Sequence, residues 1–165
     1  MPSIELSNPG VVEQGIAAVV NAYEGLQEEL GFRFTVVKVW RHLIDPESLD
    51  DVDSPCIFVV RPPGSTGTVE WYDERAYKET LTLHVLGYIS GNGEDPEDQG
   101  LATRGEALLS DIKKLQIADP SFGVPNVVKN SKIVADTNDA AFDSPGAVVG
   151  IAMELIVFWD GNSNP

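Results

Sequence analysis

The chain has 165 residues, with 11 Lys and Arg against 26 Asp and Glu, and a formal charge of −15 at neutral pH. A surplus of acid this large repels nucleic acid phosphates and anionic lipid headgroups, which argues against simple electrostatic attachment to DNA, RNA or a membrane surface. At 42% hydrophobic residues the composition is that of a globular chain able to bury a core, and the length suits a single domain, 1–165.

The first element is a helix: Asn8 suits the cap, Pro9 the first helical position, and Val12, Ile16, Val19, Tyr23, Leu26 and Leu30 recur at helical spacing until Gly31 ends the run. From Phe32 the period changes to two, and residues 32–41, rich in β-branched and aromatic side chains, read as a strand. Residues 42–55 hold five acids, Asp45, Glu47, Asp50, Asp51 and Asp53, with two prolines, which predicts an irregular surface loop. A short apolar strand follows over 56–61 and stops at Pro62-Pro63-Gly64.

Between Tyr77 and Ile89 the side chains alternate. Leu81, Leu83, Val85 and Ile89 fall on one face and Lys78, Thr80, Thr82 and His84 on the other, which favours an antiparallel sheet with one polar surface. A second acidic loop, 90–100, carries Glu94, Asp95, Glu97 and Asp98, and its Asp95-Pro96-Glu97-Asp98 reads as a helix start. The second helix has the stripe Leu101, Leu108, Leu109, Ile112 and Leu115, with Lys113 and Lys114 expected in its last turn. Two strands, 127–137 and 147–159, complete the chain. The expected fold is therefore α+β, a largely antiparallel five-strand sheet with two main helices on one face.

Chemistry is sparsely represented. Cys56 has no disulfide partner and sits in the apolar run Cys56-Ile57-Phe58-Val59-Val60, where a buried inert thiol is expected, a usage that fits a reducing cytoplasm. His42 and His84 neighbour no nucleophile elbow and read as structural; one cysteine and two dispersed histidines do not make a zinc site. The acid-dense loop lacks the spacing of a calcium loop, and the glycines lack a following Gly-Lys-Ser/Thr, so no catalytic residue, metal or cofactor is expected. No signal peptide is read in Met1-Pro2-Ser3-Ile4-Glu5, and the apolar stretch 147–159, interrupted by Glu154, falls short of the roughly 20 residues that span a bilayer. Trp71, Tyr72, Phe122 and Phe142 lie at loops or strand ends, where aromatics can anchor partners.

The run Leu108-Leu109-Ser110-Asp111-Ile112-Lys113-Lys114-Leu115, then Asp119-Pro120-Ser121-Phe122-Gly123, then two strands ending at Trp159, resembles the tail terminator, or tail completion, proteins of long-tailed bacteriophages. In that family a helix leads into an Asp-x-Thr-Leu-Gly-like turn and a strand pair; here Ser121 stands for Thr and Phe122 for Leu. The order of the earlier elements is also similar. The resemblance implies a non-enzymatic virion protein, assembled in the host cytoplasm, that forms a homo-oligomeric ring, commonly a hexamer, at the head-proximal end of the tail. Such a ring stops polymerisation of the tail tube protein, meets the neck, stopper or connector protein, and lets DNA pass without specific binding. The two acidic loops become candidates for the lumen or for partner contacts. Competing expectations are another neck component, a head-tail stopper or adaptor, and an acidic DNA-mimic inhibitor.

Overall fold

The computed structural model describes residues 10–43, 54–90, 100–139 and 146–160. Two α-helices, α1 (Val11–Glu24) and α2 (Leu101–Ala118), accompany six strands: β1 (Lys38–Trp40), β2 (Cys56–Val60), β3 (Thr68–Asp73), β4 (Ala76–Ser90), β5 (Val128–Asp139) and β6 (Gly146–Asp160). The fold is α+β, with strand order β1-β2-β4-β6-β5 and β3 paired to β4 beside that path. Only β1 and β2 run parallel among the described pairs; the rest are antiparallel. The sheet thus has six strands where the sequence reading gives five, because 68–73 forms a strand of its own.

The long strands follow from their alternation. β4 and β6 pair in unbroken register from Ala76↔Asp160 to Ser90↔Gly146 and form the centre of the sheet. Leu81, Leu83, Val85 and Ile89 of β4, and Val149, Ile151, Met153, Leu155 and Val157 of β6, are buried on the face that receives both helices. The helices come close because glycines stand at the crossings. A Cβ on Gly15 of α1 would lie 2.7 Å from Val157 Cγ1, and one on Gly87 of β4 would lie 2.8 Å from Leu108 Cδ2 of α2. Tyr23, fully buried, donates its hydroxyl to the Ile112 carbonyl at 2.9 Å and ties α1 to α2; burial pushes its pKa far up, so it stays a neutral donor.

The opposite, helix-free face is polar along Thr80 and Thr82, as expected, but apolar further along, where Cys56, Phe58 and Tyr88 are buried together against Trp40, Val60, Leu86 and Val148. Cys56 is fully buried there.

Three boundaries differ from the sequence reading. The helical period continues to Leu30, yet α1 ends at Glu24. Gly25, a poor helix former, follows it, and the Leu26 carbonyl accepts from the Val36 N–H instead of continuing the helix. A 3-10 turn, Glu28–Leu30, then closes at Gly31 with φ 93°. The strand expected over 32–41 shrinks to β1, because the Arg33 and Phe34 N–H groups donate to the buried Asp111 carboxylate of α2, at 3.0 to 3.2 Å, rather than to a neighbouring strand. Lys113 and Lys114 lie a turn before the end of α2, not in its last turn: Lys113 pairs with Asp136, and Lys114 donates to the Gly31 carbonyl at 2.9 Å. The Asn8-Pro9 and 95–98 helix starts lie outside the described residues.

Candidate assembly surface

Strand β3 is the most exposed element of the sheet. All six of its residues are exposed, among them Val69 (46%), Trp71 (59%) and Tyr72 (58%). The stretch has the β-branched and aromatic content of a strand, and the following turn is shaped by Asp73, whose Oδ1 accepts the Arg75 N–H at 2.7 Å. β2 and β3 occupy the same side of β4, at opposite ends of it, and the chain between them detours around the middle of β4. Glu79 closes beneath that detour: Gly67 packs on its side chain and Arg61 lies 4.0 Å from it.

Aromatic rings form a row across this end of the sheet. Trp71 lies 4.9 Å from Tyr77 and Tyr77 lies 5.4 Å from Trp159, centroid to centroid, on the helix-facing side. Tyr72 meets Phe158 at 5.8 Å, and Lys129 Nζ stands 4.9 Å from the Phe158 ring. The Tyr77 hydroxyl is pushed up by burial and then by the Glu79 charge, so it stays protonated at neutral pH. Lys78 is held above its ordinary value by the hydrogen bond and charge of Glu70, 3.1 Å away. Tyr77 and Trp159 pack partly against the core, while Trp71 and Tyr72 are exposed, a composition that contact surfaces share.

Phe122 is placed differently. It adopts φ 51° and is buried against Tyr23, 6.2 Å away, so it closes the core where the sequence offered it as a contact aromatic. Its turn is held by Asp119, which accepts from the Ser121 hydroxyl at 2.6 Å, the Ser121 N–H at 3.1 Å and the Gly123 N–H at 2.8 Å. Those bonds, the Ser121 hydroxyl first, draw the Asp119 carboxyl below its ordinary value. Beside this turn an apolar hollow of about 350 Å³ is lined by Ala22, Leu30, Phe32, Leu115 and Phe122 among others.

Asp119→Ala should cost about 1 kcal/mol in urea unfolding at neutral pH, the usual loss of a capping carboxylate. In the unfolded chain this carboxyl titrates near 3.8 and in the folded chain lower. Its contribution is therefore complete above the unfolded value and lost as pH falls through the folded one. The gap between wild type and variant should close on strong acidification; a gap that persists in acid would assign the loss to something other than the ionised carboxylate.

At the other end of the sheet the chain leaves and re-enters repeatedly. Ser54 Oγ accepts the Ser90 N–H at 2.8 Å, Arg104 donates to the Ser90 carbonyl at 3.1 Å, and Ser90 is paired with Gly146. The residues flanking 44–53, 91–99 and 140–145 thus meet at one end. Asp45, Glu47, Asp50, Asp51, Asp53, Glu94, Asp95, Glu97, Asp98 and Phe142 lie within those stretches, outside the described residues. All 11 Lys and Arg lie among the described residues, with 15 of the 26 acids, so the described part of the chain is far closer to charge balance than the whole.

His42 rests edge-on to Trp40 at 5.8 Å, and His84 stands between Val60 and Ala152 on the helix-free face. Among the described residues no three His, Cys, Asp or Glu side chains are placed to hold a metal ion, and no helix is long and apolar enough to cross a membrane. β3 and the Tyr77–Trp159 partners of Trp71 are the parts the sequence reading missed, although Val69, Trp71 and the Asp73-Glu74-Arg75 turn carried the signal of a hairpin. No protein-family model matches the chain, and no curated protein matches it.

Proposed function

We propose that the chain is a non-enzymatic structural subunit of a bacteriophage tail terminator, which assembles with copies of itself into a ring at the head-proximal end of the tail tube. The ring ends tube polymerisation, meets the neck or connector protein, and leaves a passage for DNA. The observation that carries the assembling part of this reading is β3, an edge strand whose every residue is exposed and which carries Val69, Trp71 and Tyr72. Large side chains displayed together on an open edge favour a partner over solvent. The element order and the helix-to-turn run ending at Gly123 supply the resemblance that makes the partner a phage tail. The chain's acid surplus suits a passage that must not retain DNA.

A DNA mimic is a poorer fit, because it needs acids arrayed on an ordered surface, whereas the described residues carry 11 bases among 15 acids. Negative-stain microscopy of the purified protein should show rings with a central hole. Tails assembled without it should lose their uniform length; uniform tails would overturn the terminator role and leave a stopper or adaptor, and a stable monomer that binds a basic enzyme would overturn ring formation itself.

A further inference from the structure

The geometry points to a docking site in the hollow where both helices end, and to its occupant: a segment of a basic protein partner that carries apolar side chains between two cations. This inference goes beyond the ring reading and does not rest on it. Ala22 and Gly25, from the last turn and cap of α1, line the hollow, as do Ala118 and Asp119, from the last turn and cap of α2. Phe122 adds to an apolar lining around about 350 Å³, at the small end of the roughly 300–1,000 Å³ of binding pockets. Leu30 completes it and is 67% exposed, a large side chain left in water at the edge of an apolar hollow.

Charge selects the occupant. A helix C-terminus carries the negative end of the backbone dipole, which Lys, Arg or His in the last turn commonly complements. Neither α1 nor α2 has a basic residue there, and the two negative ends converge on one hollow. The segments that form it add acids. Residues 22–31 contain Glu24, Glu28 and Glu29, all exposed, residues 115–123 contain Asp119, and neither segment contains a base. Lys114, just before the second segment, is turned to the Gly31 carbonyl at 2.9 Å. Asp119 accepts its bonds from Ser121 and Gly123 through both oxygens, which still leaves about one acceptor position for an incoming cation.

Acids thus belong to both walls of an apolar hollow, Glu24, Glu28 and Glu29 to the α1 side and Asp119 to the α2 side. A small amine answers one side only. A chain with two adjacent apolar side chains flanked by Arg or Lys answers both, its apolar pair leaving water while its cations meet the helix ends. The chain's own charge of −15 favours a basic partner over a second copy in this position.

Fluorescence anisotropy of labelled peptides with the full chain tests the site. A peptide with the core Arg-Leu-Phe-Arg should bind saturably, and its Glu-Leu-Phe-Glu and Arg-Ser-Ser-Arg counterparts at least about tenfold more weakly. Ala118→Arg, at an exposed position, sets a cation of the chain's own at the hollow. It should weaken the first peptide at least about tenfold without lowering the urea midpoint. Ile117→Arg adds the same charge at an exposed side chain outside this lining, and should leave the affinity within about twofold. Equal binding of Arg-Leu-Phe-Arg and Arg-Ser-Ser-Arg, or equal losses in the two variants, would show attraction to net charge alone and overturn the site. Failure of all three peptides to bind would overturn it as well. So would self-association of the wild-type chain that Ala118→Arg abolishes, since a second copy would then fill the hollow.

Discussion

Replacing Asp111 with alanine should destabilise the protein by about 2–3 kcal/mol, among the largest losses expected from any single substitution outside the apolar core. Its carboxylate is buried and accepts the Arg33 N–H through both oxygens, at 3.2 and 3.0 Å, and the Phe34 N–H at 3.0 Å. A hydrogen bond to a charged acceptor contributes about 1.5–3 kcal/mol, and removing the acceptor leaves two backbone donors with only partial access to water. The effect reaches beyond α2, because these bonds fix residues 31–37, whose Val36 and Val37 N–H groups bond to the Leu26 and Pro55 carbonyls. Urea unfolding should show a lower midpoint for Asp111→Ala, with Asp111→Asn, which keeps one acceptor oxygen, falling between it and wild type. A loss below about 0.5 kcal/mol would mean that water replaces the carboxylate at no cost.

Substituting Gly87 with valine should cost a comparable amount, about 2–3 kcal/mol, by a different route. An added Cβ meets Leu108 Cδ2 at 2.8 Å, Ile112 Cδ1 at 3.0 Å and Leu108 Cγ at 3.2 Å. The ends of these side chains can yield a few tenths of an ångström to one methyl, and a strand alanine regains about 0.5–1 kcal/mol of the backbone entropy that glycine loses, so Gly87→Ala should be nearly neutral. The two further methyl groups of valine have no such allowance between β4 and α2, since Leu108 and Ile112 are both fully buried. Combining Gly87→Val with Leu108→Ala should recover part of the loss in a double-mutant cycle. Additive losses would show that the strain lies in the backbone of β4 and not against α2.

These two positions mark what could be read in the sequence. The alternation of β4 and β6 and the stripe of α2 were legible because most of the large buried side chains on them obey one period, Tyr88 on the opposite face being an exception, and the register joins like faces. Asp111 was legible only as a polar residue on a helix, since its partners lie 77 and 78 residues away and spacing encodes nothing of that distance. The same contact explains why residues 32–37, strand-like in composition, form no strand. Leu30 kept the helical period but faces solvent, so Gly25 was the better stop signal. β3 was hidden by the opposite condition: with both faces exposed it has no inside-outside alternation to detect, and only its Val, Trp and Tyr content spoke for a strand. Of the proposed contact residues, Trp71 and Tyr72 were legible as aromatics near a turn.

The arrangement of β4 between β6 and β3 has a consequence for how the chain moves. β4 holds its partner β6 along fifteen residues, from Ala76 to Ser90, whereas β3 touches β4 over only a few, beyond the reach of the central apolar layer. Opening β3 therefore breaks a short ladder and exposes little that was buried, while β4 stays fixed from its other side. The chain can then loosen the strand that carries Trp71 and Tyr72 while the rest of the molecule stays folded.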